Sequence, residues 1–354
     1  MEFPRAVLVG KNVIEELGTF IKRFDRSVGR ILVVSGKNVT KSIGKGVIDT
    51  LDKNGISYNW ITVDNPTMEC LEIVEEEGKT GYKMVIGIGG GKCIDIAKAA
   101  SYNLNITFIS VPTSASHDGI ASPFASIKGG GKPYSLVARP PIGILADIDI
   151  ISDAPSEFLM SGCGDLVAKV TAYKDWILAR DEKGEYFGEY SANLARMSSN
   201  IILKGTSLEF ISPSLNKELN QNKYERVTSV IEALISSGVA AGIAGSSRPC
   251  SGSEHLFSHA SDILYPGIGL HGQKCGIGTI MMAKLHDMDY EEIRTALLNI
   301  GAPTTAKEIG LSEEAIIESL LLAPKLRPER YTIIHKINLD AESALELAKS
   351  CQII

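Results

Sequence analysis

Residues 84–98, MVIGIGGGKCIDIAK, decide the fold. Met84–Ile88 is an apolar run of strand length, Gly89-Gly90-Gly91 follows it, and from Ile94 the apolar residues take helical spacing. Glycines lack the Cβ that blocks close backbone approach, and a helix N-terminus offers free N–H groups and a positive dipole end. A strand, glycine turn and helix in that order can hold a pyrophosphate. Two familiar motifs do not fit. A P-loop needs a glycine five residues before Gly91, where Ile86 stands, and Cys93 replaces the Ser or Thr that would hold magnesium. A dinucleotide fingerprint belongs after the first strand, where the chain has only Gly10-Lys11-Asn12.

The same rhythm extends on both sides. Ala6–Val9, Arg30–Ser35, Tyr58–Val63 and Ile106–Val111 read as further strands, and Val13–Phe24, Thr40–Lys53, Met68–Lys79 and Ile94–Ser101 as helices. Alternation of this kind predicts a mostly parallel, Rossmann-like sheet covered by helices. Ile120–Ala138, with Gly129-Gly130-Gly131-Lys132-Pro133 at its centre, predicts a β-hairpin. Ile142–Ile151 reads as a last strand. From Pro155 helical spacing takes over: 157–179, 186–209, 224–242, 255–264, 274–285, 290–300, 313–323 and 341–350. The expected organisation is an α/β N-terminal nucleotide-binding domain, 1–152, and an all-α C-terminal domain, 153–354. The cleft between them is the default ligand site.

Composition narrows the function class. With 44% hydrophobic and 22% charged residues the chain is globular rather than disordered. Its six cysteines are scattered without a CxxC pair, which excludes a disulfide scaffold and predicts reduced thiols. A net charge of -6 without a basic stripe argues against nucleic acid as partner. No apolar run reaches the ~18 residues of a membrane span. Met1-Glu2-Phe3-Pro4 does not read as a signal peptide, so a cytoplasmic location is expected.

Two further clusters carry chemistry. Residues 111–123, VPTSASHDGIASP, follow the fifth strand and emerge at the same sheet edge as the glycine turn. Their small hydroxyls can bond a nucleotide phosphate or ribose, and Asp118 can accept bonds from substrate hydroxyls. Three of the six histidines, His255, His259 and His271, lie within seventeen residues. His255 and His259 share one helix face, and the loop before His271 carries Pro266, Gly267 and Gly269. Asp165 stands where SGCGD enters a helix. One carboxylate and two imidazoles, with a coordination position left open, suit a catalytic zinc or iron. Spacing leaves open which two histidines ligate.

These features together resemble the iron-containing alcohol dehydrogenase and glycerol dehydrogenase superfamily, whose fold dehydroquinate synthase shares. Segments 89–98 (GGGKCIDIAK), 112–126 (PTSASHDGIASPFAS), 162–169 (GCGDLVAK), 251–260 (SGSEHLFSHA), 270–279 (LHGQKCGIGT) and 326–334 (LRPERYTII) are similar to the archaeal sn-glycerol-1-phosphate dehydrogenases. That resemblance implies reduction of dihydroxyacetone phosphate to sn-glycerol 1-phosphate with NADH or NADPH, supplying the backbone of archaeal ether lipids. It implies Gly89, Gly90, Gly91, Lys92, Cys93, Ile94 and Asp95 as the pyrophosphate turn, and Thr113, Ser114, Ala115, Ser116 and Ser122 as further nucleotide contacts. It implies Asp165, His255 and His271 as ligands of one Zn2+, or iron in its place. Asp118, Asp165 and His259 would face substrate, the metal would polarise its ketone, and the chain would form a homo-oligomer.

No acidic residue follows the second strand to repel a 2′-phosphate, and Lys37 stands there instead, so both coenzymes are expected. For the substrate phosphate the sequence offers Lys169, Arg248, Lys274, Arg327, Arg330 and the helix start near Ser253 without choosing among them. Competing readings are a glycerol dehydrogenase acting on unphosphorylated substrate, a dehydroquinate synthase, and a nucleotide-binding protein without catalysis.

Overall fold

Strands whose two faces are both apolar must be covered on both sides, and this sets the layers of the first unit. The computed structural model describes residues 2–129, 132–204 and 218–354, with backbone only for 132–135 and 218–222. Its strands are β1 (Ala6–Gly10), β2 (Arg30–Ser35), β3 (Ser57–Thr62), β4 (Met84–Gly89), β5 (Thr107–Pro112), β6 (Phe124–Gly129), β7 (Lys132–Val137) and β8 (Gly143–Asp147). Six of them form one parallel sheet in the order β1-β8-β5-β4-β2-β3, with β4 and β5 central. Every residue of β4 and β8 is buried, as the unbroken apolar runs require.

Helices α1 (Leu17–Lys22), α2 (Lys37–Lys53), α3 (Met68–Gly78), α4 (Gly91–Asn103) and α5 (Ile148–Ser152) belong to this unit. Ile31, Val33, Met84, Ile86, Ile88, Ile109 and Val111 form one core with Leu17, Phe20 and Ile21 of α1 and Val47 and Leu51 of α2. On the opposite face a Cβ on Gly87 would lie 2.9 Å from Ala97 Cβ and 3.3 Å from Ile94 Cα, so α4 packs directly on β4. β6 and β7 pair antiparallel as the expected hairpin; its Gly130 and Gly131 lie outside the described residues.

One strand is shorter than the sequence suggests. The run 142–151 is β8 only as far as Asp147. The Asp147 carboxylate accepts from Asp149 N and Ile150 N at 3.0 and 3.3 Å and starts α5 instead. Likewise, Val13–Glu16 is a 3-10 turn ahead of α1.

The second unit is helical: α6 (Ser156–Val167), α7 (Lys169–Lys183), α8 (Glu189–Leu203), α10 (Ser253–Leu264), α11 (His271–Leu285), α12 (Tyr290–Asn299), α13 (Glu313–Leu326), α14 (Ile333–Ile337) and α15 (Ala341–Ser350). Residues 205–209 of the expected helix 186–209 lie outside the described residues. Ala168 keeps helical dihedrals between α6 and α7, so the expected run 157–179 continues through it. The five-residue α14 is too short for periodicity to show. The long α9 (Glu218–Ala244) groups mainly with the sheet unit, which comprises 1–115, 119–154 and 220–242. Residues 116–118 group with the helical unit. Lys223–Ala244 is, among the described residues, the one helix segment long and apolar enough to cross a membrane. Much of it is core instead, with Val227, Val230, Ile231, Leu234, Ala240 and Ala241 buried.

Candidate active site

β2 and β4 are neighbours, but the chain leaving β2 goes to β3 on one side and the chain leaving β4 goes to β5 on the other. Such a switch point leaves a crevice outside the carboxyl ends of the two strands, where open α/β sheets bind ligands. Gly36 and the glycine turn border it: a Cβ on Gly36 would stand 3.4 Å from Cys93 Sγ. Gly89 has φ +153°, a backbone region that side chains disfavour, and a Cβ there would meet Cys93 Sγ at 3.0 Å. The helix opens three residues earlier than its apolar spacing shows, at Gly91 inside the glycines. Its N-cap is Gly90, no side chain caps it, and first-turn N–H groups are left for a ligand. Thr113 N donates to Gly89 O at 3.0 Å, and a Cβ on Gly90 would be 3.3 Å from Ser114 Oγ. The structure thus brings Thr113, Ser114 and Ala115 beside Gly89, Gly90 and Gly91.

The rest of the turn is mixed. Lys92 is exposed, while Cys93 and Ile94 are buried. Burial pushes the Cys93 thiol up to about 11, which makes it a packing group. Asp95 is buried with its carboxylate engaged: Oδ1 is 3.2 Å from Lys98 Nζ and Oδ2 accepts from Ser126 N at 3.0 Å. Lys98 also donates to Gly119 O and Phe124 O, so Asp95 and Lys98 tie the hairpin to α4. Ser122 is buried, with its hydroxyl donating to Phe124 O.

The second cluster is made of side chains. His255 Nδ1 bonds Glu254 Oε1 at 2.7 Å, and His271 Nδ1 bonds the Ser258 hydroxyl at 3.1 Å. Ser258 in turn donates to His271 O at 3.3 Å, so it accepts from Nδ1–H and leaves the His271 Nε2 lone pair available. His255 Nε2 lies 3.3 Å from Asp165 Oδ1, and His271 Nε2 lies 3.6 Å from Cys275 Sγ. Imidazoles with Nδ1 held from behind and Nε2 converging are the arrangement metal sites use. Donor atoms of His255, His271 and Cys275 lie within 4.8 Å of one another, and Asp165 joins them through His255. This donor set fits zinc or iron.

Electrostatics keep the donors in register. Burial alone would raise the Asp165 carboxyl, but Lys169 and His255 outweigh it and hold it below the usual range. Burial likewise lowers His255, yet Cys275, Asp165 and Glu254 carry it well above its ordinary value. The Cys275 thiol comes down to about 7 because the two imidazoles overcome its burial. His259 goes the other way. Burial, then the charges of His271, His255, Arg327 and Arg330, hold it well below its usual value, so its ring is neutral. It stacks on His271 at 5.8 Å between centroids. Of the remaining histidines, His117 lies 6.3 Å from His271, while His286 and His335 serve Asp175 and the Pro324 carbonyl.

Close helix approach makes the cluster. A Cβ on Gly164 would stand 2.1 Å from Gly272 O, and one on Gly272 would stand 1.8 Å from Ser161 O. Only glycine lets α6 and α11 touch there, and the touching pair neighbours Asp165 and His271. Ser161 Oγ accepts from Gly272 N and donates to Ser116 O, which pins residues 116–118 to both helices. Asp118 N then donates to Asp165 Oδ2 at 3.0 Å. The buried Lys169 Nζ lies 2.8 Å from Asp118 Oδ2 and 2.9 Å from Asp165 Oδ1, which joins the two carboxylates.

Several roles escaped the sequence reading, which offered Lys169 only for the substrate phosphate and did not single out Cys275, Glu254, Ser258 or Asp64, although each carried a signal. Lys169 is one helical turn from Asp165, Cys275 one turn from His271, and Glu254 and Ser258 flank His255 on α10. Asp64 follows β3, and its carboxylate meets Lys37 Nζ at 2.6 Å. Parallel pairing of β2 with β3 puts their following loops side by side.

The sheet unit offers N–H groups in a crevice and the helical unit a converging carboxylate–imidazole set, the two components of a nucleotide- and metal-dependent dehydrogenase. The iron-containing alcohol dehydrogenase family model matches residues 8–155. The fold is that of glycerol dehydrogenase from Schizosaccharomyces pombe, with TM-score 0.80 at 20% identity, covering 99% of this chain and 89% of that one. It is also that of sulfoacetaldehyde reductase from Bifidobacterium kashiwanohense, solved with NAD+, with TM-score 0.74 at 16% identity over 99% and 97% of the two chains. In sequence the chain is 47% identical to the glycerol-1-phosphate dehydrogenase (NAD(P)+) of Nitrosopumilus maritimus, over 100% of this chain and 97% of that one. It is 46% identical to that of Pyrococcus horikoshii, over 100% and 99%. The chain belongs to the glycerol-1-phosphate dehydrogenase family.

Proposed function

We propose that the protein reduces dihydroxyacetone phosphate to sn-glycerol 1-phosphate with NADH or NADPH. The observation that supports this best is the pair of imidazoles whose Nδ1 atoms are taken by Glu254 and Ser258 while their Nε2 atoms converge beside Asp165. Asp165, His255 and His271 would hold a zinc ion, which supplies a Lewis acid for the ketone. The glycine turn, Thr113, Ser114 and Ala115 would hold the coenzyme pyrophosphate, with Ser116 and Ser122 as further contacts. The coenzyme supplies the hydride. Bound there, it would give that hydride to the ketone carbon of the substrate, and the carbonyl oxygen would take a proton.

The chain's own groups do the positioning. Lys169 fixes Asp118 and Asp165 together, so Asp118 meets a substrate hydroxyl from a set place. His259 is neutral and makes no hydrogen bond among the described residues, so a ring nitrogen can hold and pass the proton. A product of sn-1 configuration supports a role in building glycerophospholipid backbones in the cytoplasm.

The test is incubation of zinc-loaded protein with dihydroxyacetone phosphate and NADH, followed by chiral analysis of the glycerol phosphate. The sn-1 isomer is expected. The sn-3 isomer, or equal turnover of unphosphorylated dihydroxyacetone, would overturn the reading.

A further inference from the structure

The proposed substrate carries a dianion three bonds from its reacting carbon, and most of the cations near the histidine cluster are already committed. Lys169 is held by Asp118, Asp165 and Cys250 O. Lys274 is held by Asp262. Arg248 is gripped by both oxygens of Glu185, and its Nη1 donates to Tyr331 O. The start of α10 is also occupied, since Ser253 N donates to Asp175 and Gly252 N to Glu254. Arg327 and Arg330 are left.

These two are placed by one tight turn. Arg330 N donates to Arg327 O at 2.9 Å, with Pro328 at the position of the turn that proline favours. Arg330 Nη1 and Nη2 donate only to neutral oxygens, Ser247 Oγ at 2.9 Å and Ser251 O at 2.6 Å. Its Nε is shielded from solvent and has no partner among the described residues. Arg327 makes no ion pair among the described residues, and Glu329 at the turn is exposed and pairs with neither arginine. The positive charge is therefore under-compensated. Burial, then Arg248 and Arg327, pull the Arg330 guanidinium down to about 9. The charges of Arg327 and Arg330 also act on His259.

We propose that the Arg327–Arg330 turn, bonded through Arg330 to Ser247 and Ser251 in the loop before α10, is the subsite for the phosphate dianion of the substrate. Guanidinium pairs suit this ligand because they offer parallel N–H donors and keep their charge. An incoming phosphate would supply the missing counter-charge and an acceptor for Arg330 Nε. The assignment rests on the proposed function, because it presumes a phosphorylated substrate.

The test compares kcat/KM for dihydroxyacetone phosphate with that for dihydroxyacetone in the zinc-loaded enzyme. Arg330→Gln is expected to reduce that ratio about a hundredfold, and Arg327→Gln, at a half-buried side chain without an ion pair among the described residues, about tenfold. Arg330→Lys should recover part of the ratio. Inorganic phosphite should activate turnover of dihydroxyacetone in the wild type and much less in the variants. Equal losses on both substrates in both variants, or an unchanged ratio, would overturn the subsite while leaving the function standing. A wild-type enzyme without preference for the phosphorylated substrate would remove the function reading and the subsite with it.

Discussion

At the glycine turn the groups proposed to bind are backbone N–H donors drawn from one stretch, residues 89–93. At the histidine cluster they are side chains from α6, α10 and α11, spread from Asp165 to Cys275. The first works by what is missing, since a Cβ at Gly89 would press on Cys93 and one at Gly90 on Ser114. The second works by what is present, and each donor depends on a partner behind it. A backbone site tolerates change wherever glycine is kept. A side-chain site fails when one group goes.

The contrast is broken most directly at His271. Replacing it with Ala removes one converging Nε2 and leaves the sheet unit untouched. Activity should fall about a thousandfold, because Lewis-acid polarisation contributes several kcal/mol. Coenzyme affinity should stay within about twofold, since the glycine turn, Thr113, Ser114 and Ala115, proposed to hold the pyrophosphate, belong to the sheet unit. Zinc content by mass spectrometry and NADH binding by fluorescence separate the two. A variant that loses zinc and coenzyme binding together would show that the two regions are not independent.

Gly272→Ala attacks the same cluster through the backbone. The added methyl would stand 1.8 Å from Ser161 O, a neighbour that cannot swing aside as a side-chain tip can. Overpacking of this kind costs about 1–3 kcal/mol, and more where backbone meets backbone. Thermal unfolding should move down by several degrees, and zinc uptake should weaken because α6 and α11 carry Asp165 and His271. If stability falls and zinc affinity does not, the helix contact serves folding alone.

This difference in construction also explains what could be read from the sequence. The glycine turn is contiguous, so residues 84–98 disclose strand, turn and helix in one phrase. The parallel sheet follows because unbroken apolar runs such as Ile31–Val34 and Met84–Gly89 can only be buried on both faces. Asp165 with His255, His259 and His271 stand out as residue types at suggestive spacing, and the family resemblance alone selects His255 and His271 among the histidines. Their geometry does not stand out, because the contact that joins them is two glycines 108 positions apart, Gly164 and Gly272, each unremarkable alone. Periodicity also says that α9 is a helix without saying which unit it covers. The α5 start was hidden because Ile148 and Ile150 are as apolar as the strand before them, and the stop is a capping carboxylate.

The smallest effect tests the edge of the nucleotide region. Lys37 alone would favour a 2′-phosphate, yet Asp64 meets it at 2.6 Å, a pair not visible when only the loop after β2 is read. An aspartate here can accept from ribose hydroxyls, repel a 2′-phosphate and restrain the lysine that would bind one. Both side chains are more than half exposed, at 65% and 56%, so solvent screens the pair and its influence is modest. Asp64→Asn should shift the ratio of kcat/KM for NADPH over NADH upward by about fivefold. Lys37→Gln should shift it down by a similar factor. Both shifts should shrink in 1 M salt, where the Debye length is about 3 Å. A shift that survives high salt would mean that a direct hydrogen bond to the ribose, and not the charge balance of Lys37 and Asp64, sets the preference.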